Sequence, residues 1–166
     1  EKELDEESKY FLDVNNINIL QVKNEGWDFG MWYKAISQLD TSQYQQIALV
    51  NDSCVLFKKP TQFFNWLKQS DADVCGMTDS NSVHYHIQSY FLVFNYKAIP
   101  DMVAYFNKHK LLKDVSEVIE IYEVGLSKLL LDKGLKLEAC YSTKKYTGEF
   151  SPTFYLADKL FKEGIP

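Results

Sequence analysis

What the chain is short of narrows its chemistry before any motif is read. A basic surplus is missing: the formal charge is -5 and the pI is near 5.2, which argues against a nucleic-acid binder, since such a domain needs a cationic face to neutralise phosphates. Cysteine is scarce and scattered. Cys54, Cys75 and Cys140 have no CxxC spacing, so neither a disulfide framework nor a zinc site is suggested, and a reducing compartment fits best. No uninterrupted apolar run reaches the roughly 18 residues of a membrane span, and the acidic opening "EKELDEESKY" is the opposite of a signal peptide. The expectation is a soluble, cytoplasmic protein. Only seven glycines and four prolines occur, while hydrophobic residues make up 46% and aromatic ones 15%; that is the balance of a folded chain rather than a disordered one. The 166 residues fit one domain, taken as 1–166, with a sizeable core.

Periodicity divides the chain into alternating elements. "EKELDEESKYFLDV" reads as a charged helix that ends at Asn15-Asn16, and "INILQV" as a short β-branched strand. In "GWDFGMWYKAISQL", Gly26 and Gly30 punctuate a loop ahead of a helix carrying Trp32, Ala35, Ile36 and Leu39 on one side. "QIALV" lacks polar alternation, as expected of a strand covered on both faces. "TQFFNWLKQ" reads as a helix with Thr61 as its cap. "ADVCGMT" and "SYFLVFN" read as strands on either side of the polar loop "DSNSVHYH", and "DMVAYFNKH" as a helix. "EVGLSKLLLDKG" has Leu126, Leu129 and Leu130 at helical spacing and Gly134 at the C-terminal cap. "LKLEACY" alternates like an edge strand. "SPTFYLADKLFKEG" combines Ser151 as cap, Pro152 at the first helical position and Gly164 beyond the last turn. This alternation predicts an α/β fold with a mainly parallel sheet flanked by helices.

Parallel sheets bind ligands beyond the carboxyl ends of their strands, and Asp52 in "IALVNDSCVLF" stands at such an end. By itself it is either a turn or cap acid or a ligand for a hard divalent cation such as Mg or Mn. His84 and His86 alternate with Tyr85, so an extended chain points both to one face, where they bind a metal or phosphate or simply satisfy nearby backbone groups. Asp79 fits a turn. Gln88 and Ser89 have a sugar or the chain itself as partners. Glu123 falls at the start of the strong helix pattern, where the dipole favours an ionised carboxylate; an ordinary first-turn acid and a general base both fit. Asp28 and Trp32 pose a similar choice between a loop acid with a core aromatic and a carboxylate with a stacking plate for a ring. Lys144 and Lys145 read as solvated charge.

Taken together, "NEGWDFGMW", "ALVNDS", "GMTDS", "YHIQSYFLVF", "YEVGLSKLLLDKG" and "SPTFYLADKLFKEGIP" resemble, in order and rough spacing, the rhamnan synthesis F family of glycosyltransferases, from about residue 15 to the last. The resemblance implies a GT-A-like, Rossmann-like domain that uses a nucleotide-sugar donor and a saccharide acceptor, often with Mn or Mg. It implies Asp52 as the metal or donor-diphosphate ligand, supported by Asn51 and Ser53, although "NDS" holds one carboxylate where GT-A enzymes commonly carry two. It implies Glu123 as catalytic base. His86, Gln88 and Ser89 match the family signature and would contact donor or acceptor. The first nucleotide-gripping βα unit of a GT-A fold has no counterpart before Ile17, which suggests either an inactive remnant or one part of a larger enzyme. The expected function is metal-assisted, inverting sugar transfer, with rhamnose as the sugar the family name suggests, building a polysaccharide or glycan. A non-catalytic sugar- or nucleotide-binding domain of the same fold is the alternative, and a structural α/β protein without ligand a third.

Overall fold

Ten stretches of the described residues satisfy their backbone as helix and six as strand or strand-like pairing, in a computed structural model that describes residues 3–52, 54–142, 144–147 and 157–166. Helix α1 (Glu6–Val14) starts where the Asp5 carboxylate accepts the Ser8 amide (2.7 Å) and buries none of its residues. After it, "INILQV" is irregular, not the expected strand: its β-branched residues have no partner strand to satisfy their amides, and Ile17, Ile19 and Leu20 are exposed. Helix α2 (Trp27–Ile36) follows Gly26, which sits at φ 76°. Gly30 lies inside α2, not in a loop before it. It is there for space, since a Cβ would come 2.0 Å from the Glu25 carbonyl oxygen.

The sheet is mixed rather than mainly parallel. Strands β1 (Gln46–Val50), β2 (Val74–Gly76), β5 (Phe91–Asn95) and β6 (Leu137–Ala139) lie in the order β1-β5-β2-β6. The first two pairings are antiparallel and only β2 with β6 is parallel. The antiparallel neighbours are strands that the sequence separates by hairpin-like or α3-containing connections, not by the right-handed helical crossover that a parallel pair requires. "QIALV" is consequently an edge strand with one buried side chain, Leu49. Between β2 and β5, the expected loop "DSNSVHYH" folds back as a two-residue ladder of β3 (Asp79–Ser80) and β4 (His86–Ile87).

Side chains alternate across the sheet as strand geometry requires. Val74, Leu92 and Phe94 face a core with Phe29, Met102, Phe106, Tyr122, Leu126 and Leu130 of the helices α2, α4 (Ile99–His109) and the long helix after it. Cys75 and Val93 face the opposite core, with Phe63 of α3 (Thr61–Leu67) and Leu160 of α8 (Ala157–Lys162). Helices thus cover both faces, an α/β arrangement. In α3, Thr61 is the first helical residue rather than the cap, and Pro60 precedes it. A short turn, α7 (Lys144–Thr147), precedes the undescribed stretch that holds Ser151 and Pro152, so those two expectations lie outside the described residues. Gly164 follows α8 as expected, at φ 98°.

The strong leucine pattern is the last part of a longer helix. It begins at α5 (Val115–Glu117), where Asp114 Oδ1 accepts the amides of Ser116 (2.8 Å) and Glu117 (3.2 Å). It continues through a π-helical stretch (Val118–Gly125) into α6 (Leu126–Asp132), and Gly134 at φ 80° ends it as expected. Glu123 is therefore in the interior of this helix, not at its start, and the helix dipole gives it no help. A single residue, Asp73, joins three strands: its carboxylate accepts the Asn95 side-chain amide (3.1 Å) and the Lys136 backbone amide (2.9 Å), at the ends of β5 and β6.

Candidate active site

Four separate elements converge where β1 ends and β5 begins. The ladder reaches one step past Val50, because the Asn51 amide donates to the Tyr90 carbonyl (3.2 Å). That bond turns Asn51 and Asp52 toward the first turn of α2. There the Asn51 side-chain amide donates to Asp28 Oδ2 (2.8 Å). Burial first, and then the neighbouring Asp52 carboxylate, push the Asp28 carboxyl above the usual Asp range. Asp28 and Asp52 thus form a carboxylate pair drawn from two elements, with Asp28 half-buried and Asp52 exposed.

The other side is built by "HIQSYF" against the π-helical stretch. The Ser89 amide donates to Glu123 Oε1 (2.8 Å), and the Ile87 amide donates to Ser127 Oγ (3.2 Å). Acceptors four apart on a helix rise about 6 Å, and amides two apart on an extended chain advance about 6.6 Å, so the two spacings match. Glu123 and Ser127 therefore do for this segment what a neighbouring strand would do. Tyr90 completes the group. Its phenol is raised by burial, then by the charges of Cys54 and Glu123, which places it between them. Phe29 and Tyr122 stack face to face (5.1 Å, 9° between planes), so the elements that carry Asp28 and Glu123 pack directly against each other.

The remaining expected residues have other surroundings. Trp32 leans edge-on against Phe29 (4.8 Å) at the margin of the core. Asp79 is buried in β3 rather than exposed in a turn, and the Tyr85 hydroxyl bonds to it; burial and that acid push the Tyr85 phenol well up. His86 is buried, and its Nδ1 donates to the His84 carbonyl (2.8 Å), while His84 is exposed, so the two rings do not form one site. The Gln88 amide donates to the Thr78 carbonyl (3.0 Å), which leaves its half-buried side chain beside Ser89. Ser53 lies outside the described residues. No group of three or more His, Cys, Asp or Glu among the described residues is arranged to hold a metal ion. No helix among them is long and apolar enough to cross a membrane.

Sequence reasoning passed over Tyr90, Ser127 and the pairing of Asp28 with Asp52. Ser127 had a readable signal, since it follows Glu123 by one helical turn. The Asp28–Asp52 pairing had none, because residues on unlike elements meet only through the fold.

The fold is a mixed-sheet α/β domain that gathers acids from a helix start, a strand end and a helix interior at one sheet margin. Residues 2–166 match the family model described as rhamnan synthesis protein F, and the chain belongs to that family. It is also similar to virulence protein VirA of Vibrio anguillarum, 29% identical over 157 residues that cover 86% of this chain and 50% of the relative. An uncharacterized protein, y4gN of Sinorhizobium fredii, is 27% identical over 133 residues, 75% of this chain and 35% of its own. The chain thus spans about half the length, or less, of the curated relatives it matches. No solved structure matches.

Proposed function

We propose that this chain is the sugar-transferring part of a glycosyltransferase of polysaccharide synthesis, GT-A-like in its chemistry, working in the cytoplasm on a nucleotide-sugar donor and a saccharide acceptor. The observation that carries this reading is the meeting of the Asp28–Asp52 pair with the Glu123–Ser89 contact at one end of β1 and β5. The family's description, rhamnan synthesis, supports a sugar polymer as product and rhamnose as the sugar. Cys54, Cys75 and Cys140 form no disulfide among the described residues, which suits a reducing compartment.

Asp52 and Asp28 take the diphosphate end. The chain contains no arginine, and two facing carboxylates repel a diphosphate, so this end requires a divalent cation. Mg or Mn fits the donor set, since such ions are held by one or two carboxylates with the remaining positions filled by phosphate oxygens and water. Asp28 and Asp52 would hold such an ion, which would supply the positive charge that offsets the leaving diphosphate. Asn51 orients Asp28 through its 2.8 Å bond, and Ser53, the last residue of "NDS", is proposed as a further donor contact.

Glu123 takes the acceptor end. Its Oε1 holds the Ser89 amide, which leaves Oε2 to remove the proton of the attacking hydroxyl. The acceptor oxygen bonds to the anomeric carbon as the bond from that carbon to the diphosphate oxygen breaks, which inverts the configuration. Gln88 and Ser89 line the approach as donor or acceptor contacts, while His86 and Asp79 hold that strand in place from within and Trp32 backs Phe29.

Glu123→Gln tests the assignment, because the amide keeps the acceptor for Ser89 but cannot take a proton. Turnover is expected to fall by about 100-fold or more while donor affinity is kept; full activity in that variant removes Glu123 as base. The Ser89 contact also favours a second reading, a sugar- or nucleotide-binding domain without chemistry in which Glu123 is purely structural. Calorimetry with nucleotide-sugars, with and without Mn, separates the two: donor binding that ignores both the metal and Asp52→Ala supports the second.

A further inference from the structure

Two of the strained backbone positions of the chain flank a groove that the site above does not use. Trp27 opens α2 at φ 53°, directly after Gly26 at φ 76°. Lys110 closes α4 at φ 54° and ψ -128°. A left-handed conformation is a true outlier for a bulky residue such as Trp, and such strain persists only where its surroundings over-determine it. Here they do. The Gly30 amide donates to the Gly26 carbonyl (2.7 Å). A Cβ on Gly26 would lie 3.1 Å from the Gly30 Cα and 3.4 Å from Leu111 Cδ2, so the first turn of α2 is pressed against the chain after α4. On the other wall, the Tyr122 hydroxyl donates to the Lys110 carbonyl. Both walls are rigid.

Between them lies a groove of about 490 Å³ lined by Asn24, Glu25, Gly26, Trp27, Leu111, Leu112 and Lys113. Trp27 is 44% exposed, and no ring or hydrogen-bond partner engages its indole among the described residues. It is an aromatic plate, held in a costly conformation, with an unused face. Around it stand a carboxamide, Asn24, an ammonium, Lys113, and two leucine side chains. That combination matches a sugar ring, which has an apolar C–H face to stack on an aromatic and a rim of hydroxyls for polar groups; aromatic side chains with a polar end are suited to such mixed surfaces. A 6-deoxy sugar, with a methyl where others have a hydroxymethyl, suits Leu111 and Leu112 further.

We infer that this groove binds a saccharide stacked on Trp27, and that it is the acceptor subsite. The saccharide class stands on the groove itself; its place as acceptor subsite rests on the glycosyl-transfer reading. Trp27 immediately precedes Asp28, and Tyr122, which clamps Lys110, immediately precedes Glu123. The Phe29–Tyr122 stack (5.1 Å) packs the first turn of α2, which carries Trp27 and Asp28, against the helix that carries Glu123, so the groove adjoins the elements that hold the two acids.

The test is a titration of the full chain followed by NMR at the three tryptophan indole N–H signals, with the Trp27 signal assigned from Trp27→Phe. The probes are methyl α-L-rhamnoside, a rhamnose tetrasaccharide and, as a separate arm, a nucleoside diphosphate. The tetrasaccharide is expected to shift the Trp27 signal, and Trp27→Ala to weaken its binding about tenfold, a loss of ~1.4 kcal/mol, with Trp27→Phe in between. Trp27→Gly serves as the folding control. Glycine accepts φ 53° without strain, so this variant should melt no lower than the parent and still lose the saccharide. Undiminished binding in Trp27→Ala and Trp27→Gly, or a Trp27 signal that answers only the nucleoside diphosphate, overturns the inference. Donor cleavage by the unaltered chain is measured in parallel. A chain that cleaves donor while Trp27 stays silent loses the groove alone; one that shifts Trp27 but never cleaves donor keeps the saccharide site and loses the glycosyltransferase.

Discussion

Asp28 is held at a pKa above the ordinary carboxylate range by burial and by Asp52, and the sign of that shift sets its contribution to stability. A raised folded-state pKa means that the folded chain keeps this proton better than the unfolded one. The contribution is fully present below the unfolded pKa and is lost as pH rises through the folded one. At neutral pH the ionised pair is thus a net burden on the fold. Asp28→Asn retains an oxygen to accept the Asn51 amide and removes the repulsion, so its melting temperature at pH 7 should rise, by about 1–3 °C. The gain should shrink at pH 3, where the Asp28 carboxyl is protonated in the folded chain. Donor turnover should fall in the same variant. Thermal melts at the two pH values decide this: equal melting temperatures at pH 7 would mean that the two acids do not repel. The neighbour of Asp52 could not be read from "NDS", because Asp28 stands 24 positions earlier at a helix start.

At the scale of elements, the helices were legible and the sheet much less so. Patterns of apolar residues located α2, α3, α4 and α6 because helical periodicity is a local property. Strand direction is not local, and "QIALV" reads the same whether its neighbour is parallel or antiparallel. "INILQV" failed for a related reason: its composition suits a strand, but the fold offers it no partner. The misplacement of Glu123 was avoidable. "DVSE" before the leucine pattern carries Asp114 with Glu117 three residues on, an N-terminal signature, and it starts the helix nine positions ahead of Glu123. Close packing between elements was also invisible in the sequence. A Cβ on Gly76 would lie 2.0 Å from Ile87 Cγ2 and 3.3 Å from the Phe91 carbonyl oxygen, so β2 accepts the β3–β4 ladder only without a side chain. Gly76→Ala is expected to cost about 1–3 kcal/mol and, by displacing Ile87, to speed hydrogen exchange at the Ile87 and Ser89 amides. Unfolding in denaturant and exchange at those two amides check it. Protection equal to the parent would mean that "HIQSYF" is held by Glu123 and Ser127 alone.

For the molecule as a whole, stability resides in the two cores on either side of the sheet and not in its leading segment. Helix α1 buries no residue, and Tyr10, Phe11 and Val14 are all more than half exposed. Removing residues 1–16 should leave the melting temperature within about 2 °C, because little apolar area returns to water. A larger fall in a thermal melt would show that α1 contributes contacts to the fold.

The Asp73 junction bears on what it costs the chain to close its sheet. Its two partners differ in reach: Asn95 is 22 residues away and Lys136 is 63. Closing a longer loop costs more chain entropy, so of the two contacts the one to Lys136, which secures β6, carries the larger closure cost. The Lys136 amide, more than any other partner, keeps this carboxyl below the usual range, so its contribution is lost as pH falls through the folded pKa. Asp73 is thus an acid-sensitive latch on β6, and low pH is expected to loosen the sheet at that strand.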